Sequence, residues 1–308
     1  RIYDICVNTL RLCMMEHYVD CPWREQALYA FDSRNQMLFG YYAFENQNAA
    51  YARANLKLIG MDRRKDGLLS ICYPCGSSLA IPSFSLYYII AMWEYIKYTG
   101  DKTLAVEMYQ KQTEVLEVFA DHRREGLVTA FEGKEYWNFY DWSEFSSGKI
   151  GSLDEPIPDL VINCLFVLAL DSFEATCRTI GEVFPYPSVA ETLRRDIHTA
   201  FFTERGLYTM RQGREEYTAL GNALAILAGV CNEDDADAIC RQIVAGNLNN
   251  CSLSTKILEY DALLMTDAAR YADFILEEIR VGYKMMLDAG SDTVWETLDG
   301  ATAFHNAG

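Results

Sequence analysis

Three carboxylates, an arginine and a tryptophan lie together near the start of the chain, in the stretch VDCPWREQALYAFD at residues 19–32. Asp20, Glu25 and Asp32 come directly after an apolar run with helical spacing. Neighbouring carboxylates repel one another, and this repulsion raises the pKa of at least one of them. Glycoside hydrolysis needs one carboxyl that stays protonated at neutral pH, and crowding of this kind can provide it. The alternative interpretation is a solvated turn where a helix ends.

Glycoside hydrolysis also needs a carboxyl on the other side of the scissile bond. Glu296 is the best candidate, in TVWETLDG after a turn (AGSD) that ends a long helical pattern. Arg24 opposes the rise in pKa among the three acids at residues 20–32, and could instead hold a sugar hydroxyl or orient Asp20. An inverting mechanism predicts a separation of about 6.5–9.5 Å between the Glu25 and Glu296 carboxyls.

Four of the five tryptophans lie in or beside stretches that carry acids. Trp23 is in DCPWRE, Trp137 and Trp142 are in EYWNFYDWSEF, and Trp295 immediately precedes the candidate base. Aromatic faces stack on the apolar faces of sugar rings, and carboxylates accept bonds from sugar hydroxyls. These stretches therefore predict carbohydrate recognition. The competing interpretation is that large aromatic residues simply pack at helix ends.

Apolar residues recur with helical spacing along almost the whole chain, which predicts an all-α fold. Eleven helical segments follow one another without a low-complexity linker, so we interpret residues 1–308 as one domain. Antiparallel helices in this number fit an (α/α)6 barrel, a six-hairpin toroid, truncated before or within its last helix. We expect the chain to be a fragment of a larger multidomain enzyme. A helical solenoid is the alternative, although no fixed repeat of about 34 or 40 residues is present.

Several element boundaries can also be predicted. The first helix is expected to continue to Tyr18, and Ser33 is expected to be the N-cap of the second. A single helix is expected over residues 102–124, and two separate helices are expected over residues 254–265 and 268–287. The short pieces GLVTAF and GLYTM are expected to pair locally as strands.

The formal net charge of −17 argues against nucleic acid and anionic membrane surfaces as partners. We expect no apolar run as long as a membrane span, and no signal peptide is apparent at residue 1. Ten cysteines, mostly in apolar contexts, are interpreted as free thiols, which favours a cytoplasmic over a periplasmic or secreted location. Cys72 and Cys75 lack the second pair or the histidines of a zinc site, so we predict no metal and no cofactor.

Taken in order, several of these segments resemble one family. They are the helix followed by DCPWRE, the acid at Asp32, the YDW at residues 140–142 and TVWETLDGATAF near the end. With them the chain is similar to the catalytic domain of bacterial α-L-rhamnosidases, family 78 of the glycoside hydrolases, over essentially its whole length. The resemblance implies an (α/α)6 barrel and an inverting mechanism. It also implies a terminal α-L-rhamnosyl substrate, carried by a small molecule or an oligosaccharide.

The resemblance assigns roles by position. Glu25 matches the family's general acid and Glu296 its general base. With Glu25 as the acid, we expect Asp20 and Asp32 to raise its pKa and Arg24 to face the sugar or Asp20. We add Tyr29 and Trp295 as substrate-binding candidates because of their places beside the candidate acid and base. The other residues that the resemblance assigns to the sugar are Asp20, Arg24 and Asp32, which hold hydroxyls, and Asp141 and Trp142, which line the pocket.

Two positions depart from the family's pattern. Tyr29 stands where members often have tryptophan, and Tyr140 stands where they often have glycine before the Asp-Trp pair. The family also has a sugar-binding histidine after the base, and His305 lies too close to Glu296 in sequence to match it. These departures leave open another (α/α)6 glycosidase with a different sugar. A non-catalytic toroid that binds carbohydrate is the alternative from another functional class.

Overall fold

The protein is described here by a computed structural model that covers residues 1–44, 47–151 and 156–306. Eleven helices dominate these residues, and a 3-10 turn lies at Phe304–Asn306. The elements in chain order are α1 (Ile2–Leu12), α2 (Ala30–Ala43), α3 (Gln47–Gly60), α4 (Pro82–Thr99), α5 (Thr103–Glu107), α6 (Tyr109–Asp121), β1 (Arg123–Arg124), β2 (Leu127–Val128), α7 (Leu160–Ile180), α8 (Val189–Phe201), α9 (Ala219–Leu227), α10 (Glu233–Val244) and α11 (Lys256–Asp288).

The helices form two layers. In the inner layer α4 packs between α2 and α7, α7 also packs against α9, and α9 packs against α11. In the outer layer α3 covers α2 and α4, α6 and α8 cover α7, and α10 covers α9 and α11. Helix α1 contacts both α2 and α11, which brings the two ends of the chain together. This ring of paired helices confirms the predicted (α/α)6 class.

Helices α4 and α7 form the centre of the core because other helices cover them on several sides. Their sequences are apolar around most of the helix circumference, as expected for buried helices. Pro82 is the first residue of α4. A backbone N–H at this position has no partner within the helix, so the N–H that proline lacks costs no hydrogen bond. Gly100 and Gly181 end α4 and α7 with φ of 72° and 81°, a left-handed conformation that favours glycine.

The expectation that no apolar run reaches the length of a membrane span was wrong for α7. This helix has 21 residues and a mean hydropathy of 1.7 in its most apolar window, so it is long and apolar enough to cross a membrane. However, 72% of that window is buried inside the protein. A helix in the middle of a helical core meets the same length and composition criteria as a membrane span.

Several predicted boundaries were also wrong. Helix α1 ends at Leu12 instead of Tyr18, and Met108 separates α5 from α6. Helix α2 begins before Ser33, whose amide already donates a helical bond to the carbonyl of Tyr29 at 3.0 Å. In contrast, the two helices predicted over residues 254–265 and 268–287 are confirmed: α11 breaks at Asp267, where φ is −157° and ψ is 91°, and its halves fold back on each other, with Lys256 Nζ 3.0 Å from Oε1 of Glu278.

Local strand pairing was predicted correctly for GLVTAF, since β1 and β2 are antiparallel with Arg124 opposite Leu127. In GLYTM, Tyr208 forms an isolated bridge with Phe202. These short pairings shape the loops and contribute little to the core.

The inner helices begin at one end of the ring, because each is separated from the next by an outer helix that runs back. The loops that enter α2, α7 and α11 therefore lie at the same end. The second half of α11 runs back to this end, since Lys256 Nζ lies 3.0 Å from Oε1 of Glu278. The segment that follows α11 therefore lies here as well, where Arg24 contacts Glu296 across 272 residues of sequence. This end of the ring contains most of the residues singled out above.

Candidate active site

Arg24 joins the two candidate catalytic carboxylates. Its Nη2 lies 2.6 Å from Oε2 of Glu296, and its Nε lies 3.5 Å from Oε2 of Glu25. Its Nη1 also donates to the backbone carbonyl of His305 at 3.1 Å. Of the two orientations expected for Arg24, the one toward Asp20 is wrong, because the strongest contact of its guanidinium is with Glu296.

The shared arginine limits the distance between the two carboxylates. The contacts of 3.5 Å and 2.6 Å, with roughly 2.3 Å between two nitrogens of one guanidinium, put the two Oε2 atoms of Glu25 and Glu296 at most about 8.4 Å apart. A wide gap that would leave Glu296 without a role is thereby excluded. This upper limit allows the separation of about 6.5–9.5 Å found in inverting glycosidases and also the separation of about 5–5.5 Å found in retaining ones.

The loop that carries Glu25 is closed on itself by hydrogen bonds. The amide of Ala27 donates to Oδ1 of Asp20 at 2.8 Å, and the amide of Asp20 donates to the carbonyl of Ala27 at 3.1 Å. Gln26 has a φ of 49°, and its side chain donates to the carbonyl of Pro22 at 2.7 Å. These bonds hold Glu25 at the rim, where 46% of its side chain is exposed.

Asp20 and Glu25 interact as a pair of carboxyl groups. Burial raises the pKa of Asp20, and the charge of Glu25 raises it further, against bonds from the Ala27 and Cys21 amides and the Cys21 thiol. Burial also raises the pKa of Glu25, but the Cys21 thiol, its own amide, Asp20 and Arg24 together lower it below its ordinary value. The expectation of a raised pKa for Glu25 is therefore wrong, and Asp20 is the member of the pair whose protonation is favoured.

Asp32 lies deeper, in the first turn of α2. Burial raises its pKa to about 7, and the charges of Asp20, Glu296 and Glu25 also raise it, against a bond from its own amide. Four carboxylates from opposite ends of the chain therefore act on one another in this site. Tyr29 lies beside them: burial raises the pKa of its hydroxyl, and the charges of Asp20 and Glu25 add to the effect.

We expect Asp32→Asn to stabilise the protein at alkaline pH. Because the pKa of Asp32 is about 7 in the folded protein and 3.8 ordinarily, the folded state binds its proton more tightly, and the free energy of unfolding falls as pH rises between these values. The amide removes this penalty, so the variant should gain on the order of 2–4 kcal/mol over the wild type at pH 8 and less at pH 5. Chemical unfolding at both pH values measures the difference.

A matched control for this experiment is Asp121→Asn, which replaces an exposed carboxylate at the end of α6. It should leave the difference between pH 5 and pH 8 unchanged. A gain for Asp32→Asn that is equal at both pH values would show that the ionised Asp32 carboxylate carries no penalty in the folded protein.

Trp295 is buried and positions the segment that carries Glu296. Only 8% of it is exposed, and it forms a small hydrophobic cluster with Ile5 and Met286. Its burial gives no support to the prediction that its ring contacts a sugar. The ring instead attaches the segment after α11 to α1, and the amide of Val294 reinforces this by donating to Oγ1 of Thr9 at 2.8 Å.

Two neighbours of Glu296 were not singled out as site residues in the sequence. His305 Nδ1 lies 3.6 Å from Oε1 of Glu296, and its ring is 6.3 Å from that of Trp142. Phe304 lies 5.7 Å from the Arg24 guanidinium carbon and is 77% exposed. The available signals were their place near Glu296 in sequence and, for His305, the histidine that the family has after the base. The contacts themselves depend on the turn that returns the chain end to the site.

Asp141 and Trp142 lie next to each other in sequence but have different environments. Asp141 is buried, and both of its oxygens accept bonds from Ser252, one from the amide at 2.9 Å and one from the hydroxyl. It therefore attaches the loop before α7 to the loop before α11. Trp142 is 55% exposed and packs edge-on against Phe139, with ring centres 4.8 Å apart. Trp142 is the member of the pair that can offer a ring face to a ligand.

The described residues contain one group of side chains close enough to share a metal ion. The ligand atoms of Asp20, Cys21 and Glu25 lie within 4.8 Å of one another. Burial raises the pKa of the Cys21 thiol, and its bond to Glu25 raises it further, so the thiol is protonated at neutral pH. A protonated thiol donates hydrogen bonds and is a poor metal ligand. The thiol in fact donates to Oε2 of Glu25 at 3.1 Å.

Comparison with known proteins identifies the family. The family model described as the bacterial α-L-rhamnosidase six-hairpin glycosidase domain matches residues 1–308. The chain belongs to this family. A comparison with curated protein sequences found no match. The family places the chain among glycoside hydrolases and agrees with the carboxylates found at one end of the helical ring.

Solved structures share the fold of this glycosidase domain. A GH78 family rhamnosidase of Bacillus sp. GL1 has a TM-score of 0.85 at 24% identity, covering 96% of this chain and 31% of its own. A rhamnosidase from Klebsiella oxytoca with rhamnose bound has a TM-score of 0.81 at 21% identity, covering 97% and 57%. The GH63 mannosylglycerate hydrolase from Thermus thermophilus has a TM-score of 0.67 at 11% identity, covering 97% and 95%. The chain thus spans a third to somewhat over half of the two rhamnosidases.

Proposed function

We propose that this domain hydrolyses terminal α-L-rhamnosyl residues from small-molecule glycosides or oligosaccharides, with inversion at the anomeric carbon. The single observation that carries the proposal is that Arg24 contacts both Glu25 and Glu296. It brings two carboxylates from opposite ends of the chain to the same end of the ring, close enough to act on one sugar. The family supports the choice of sugar.

In this proposal Glu296 is the general base. It accepts a proton from a water molecule, and the oxygen of that water attacks the anomeric carbon from the face opposite the leaving group. Arg24 orients the Glu296 carboxylate through its contact at 2.6 Å. Trp295, buried behind Glu296, positions the segment from which Glu296 projects.

Glu25 is the general acid, and it donates a proton to the glycosidic oxygen as the bond to the anomeric carbon breaks. The lowered pKa of Glu25 applies to the empty site, where nearly half of the side chain is in water. A bound glycoside excludes that water, and desolvation favours the protonated form. Asp20 supplies a second route, because a close pair of carboxyls shares one proton and Glu25 can hold it once the sugar is bound.

The remaining acids and aromatic residues bind the sugar in this proposal. Asp20, Arg24 and Asp32 accept from or donate to hydroxyls, Trp142 offers its exposed ring, and Tyr29 borders the carboxylates. Asp141 contributes indirectly, because its carboxylate is engaged by Ser252.

We expect the first product of hydrolysis to be the β anomer of L-rhamnose. Direct attack by water inverts the configuration of an α-rhamnoside, whereas a covalent intermediate would return the α anomer. Proton NMR of a nitrophenyl α-L-rhamnoside during its first minutes of cleavage distinguishes the two before mutarotation mixes them. Early accumulation of the α anomer would contradict the inverting mechanism.

A panel of nitrophenyl glycosides tests the choice of sugar. Release from the α-L-rhamnoside alone supports the proposal. Release from another glycoside instead would indicate a different sugar specificity on the same fold. Saturable binding of rhamnose without release from any glycoside would indicate a carbohydrate-binding toroid.

A further inference from the structure

Trp23 is the most exposed of the five tryptophans and has no assigned role. It lies between Asp20 and Glu25, and 75% of it is exposed. Trp142, by comparison, is 55% exposed and packs against Trp137 and Phe139. Among the described residues, the Trp23 ring stacks on no other aromatic ring. A large ring held in water beside two carboxylates is available to a ligand.

The turn that carries Trp23 is held from both sides. On one side, the carbonyl of Pro22 accepts a bond from the Gln26 side chain at 2.7 Å. On the other side, Arg24 is fixed by its contacts with Glu296 and with the carbonyl of His305. The folded loop therefore holds the residues on both sides of Trp23.

A second exposed ring lies near the same arginine. Phe304 is 77% exposed, and its ring centre is 5.7 Å from the Arg24 guanidinium carbon. Trp23 is bonded directly to Arg24 in the chain. Two mostly exposed aromatic residues, Trp23 by its place in the chain and Phe304 by contact, therefore adjoin Arg24, which contacts both candidate catalytic carboxylates.

We propose that Trp23 forms a leaving-group subsite, which binds a ring-bearing aglycone by its flat face. The proposal rests on the function proposed above, in which Glu25 protonates the glycosidic oxygen. A general acid must contact that oxygen, so the atoms bonded to its far side belong to the leaving group. Trp23, two residues from Glu25 on the same braced loop, is placed to meet those atoms. The face of an aromatic ring or the C–H face of a sugar ring fits its indole.

The test compares two α-L-rhamnosides in the protein at its natural full length. Methyl and benzyl leaving groups are alcohols of similar acidity, but only benzyl has a ring. Trp23→Ala should raise KM for the benzyl rhamnoside by about 2- to 12-fold, the range that ring stacking contributes, with kcat little changed. The kinetics of the methyl rhamnoside and inhibition by free rhamnose should stay the same. Trp23→Phe should restore most of the loss.

Two additional substrates identify the kind of ring. A larger loss on benzyl than on a rhamnosyl-glucose disaccharide assigns the subsite to aromatic aglycones, and the reverse assigns it to sugars. Tyr42→Ala is the control, since Tyr42 is 74% exposed near the other end of α2, about 18 Å from its start at 1.5 Å per residue. It should change neither substrate's kinetics.

Two results would overturn the inference while leaving the proposed function intact. One is an equal loss on methyl and benzyl rhamnosides, which would show that Trp23 only supports the loop of Glu25. The other is unchanged KM for every ring-bearing substrate. Failure of the wild type to cleave any α-L-rhamnoside would instead overturn the proposed function, and the inference with it.

Discussion

Replacing Glu25 with glutamine should slow the cleavage of alkyl and sugar rhamnosides far more than that of nitrophenyl rhamnosides. An alkoxide is a poor leaving group and needs a proton as the bond breaks, whereas a nitrophenolate leaves readily without one. General acid assistance is typically worth about 10²–10⁴-fold in rate, so kcat/KM for a methyl rhamnoside should fall by that amount. The nitrophenyl substrate should lose much less. Steady-state rates on both substrates measure the difference.

Three other results would show that Glu25 is not the proton donor. Equal losses on good and poor leaving groups would mean that Glu25 holds the sugar and does not protonate the leaving oxygen. If Asp20→Asn shows the leaving-group dependence and Glu25→Gln does not, the raised pKa of Asp20 identifies it as the donor. If only Asp32→Asn shows it, the donor is the deeper carboxyl, whose pKa is about 7.

The protonation of this site is where sequence reasoning was least accurate. Counting charges correctly predicted that crowded carboxylates would raise a pKa, and Asp32 shows this. The same count of charges predicted a raised pKa for Glu25, whereas its pKa is lowered. A count of neighbouring charges cannot include the Cys21 thiol, which donates to Oε2 of Glu25, or the angle from which Arg24 approaches. Both depend on how the loop over residues 20–27 closes.

The fold was more predictable than the chemistry of the site. Helical periodicity extends over long segments, so the order of the helices and the separate halves of α11 could be predicted from it. Helix ends depend on a few local bonds, and the start of α2 was misplaced because Asp32 and Ser33 both resemble N-caps. The prediction that no apolar run is as long as a membrane span was wrong at α7. The burial of this helix in the core explains its apolar composition.

Residue types alone also did not reveal which aromatic residues and acids face outward. Trp295 and Asp141 have the composition of ligand-binding positions, yet one is packed against Ile5 and the other is engaged by Ser252. Both still serve the site by joining loops that are distant in sequence. Trp23 and Phe304, in contrast, are mostly exposed beside Arg24. Tertiary contacts decide this difference, and no local pattern records them.

Replacing Glu296 with glutamine should lower kcat/KM by about 10²–10⁴-fold on nitrophenyl and alkyl rhamnosides alike. Whatever group leaves, water must lose a proton to attack the anomeric carbon, and glutamine cannot accept it. The amide is close in shape to the carboxylate and its oxygen can still accept from Arg24, so the segment after α11 should keep its position. Rates on both leaving groups, with the unfolding midpoint as a check on folding, measure the effect.

The matched control is Glu277→Gln. Glu277 also accepts from an arginine at 2.6 Å, but its pair with Arg280 lies on the exposed surface of α11. It should leave turnover unchanged, which separates loss of a general base from loss of an arginine–glutamate pair. A leaving-group dependence for Glu296→Gln that equals that of Glu25→Gln would contradict the division of roles.

The variant Glu296→Ala adds a test of what the base acts on. Azide attacks carbon without losing a proton, so it needs no general base, and the shorter side chain leaves space for it. Azide should therefore restore cleavage of the nitrophenyl rhamnoside by Glu296→Ala and yield the β-rhamnosyl azide, the inverted product. It should not restore Glu25→Gln on an alkyl rhamnoside, where the missing element is a proton for the leaving oxygen. Recovery of an α-azide, or none at all with a folded protein, would show that Glu296 does not stand on the water's side of the sugar.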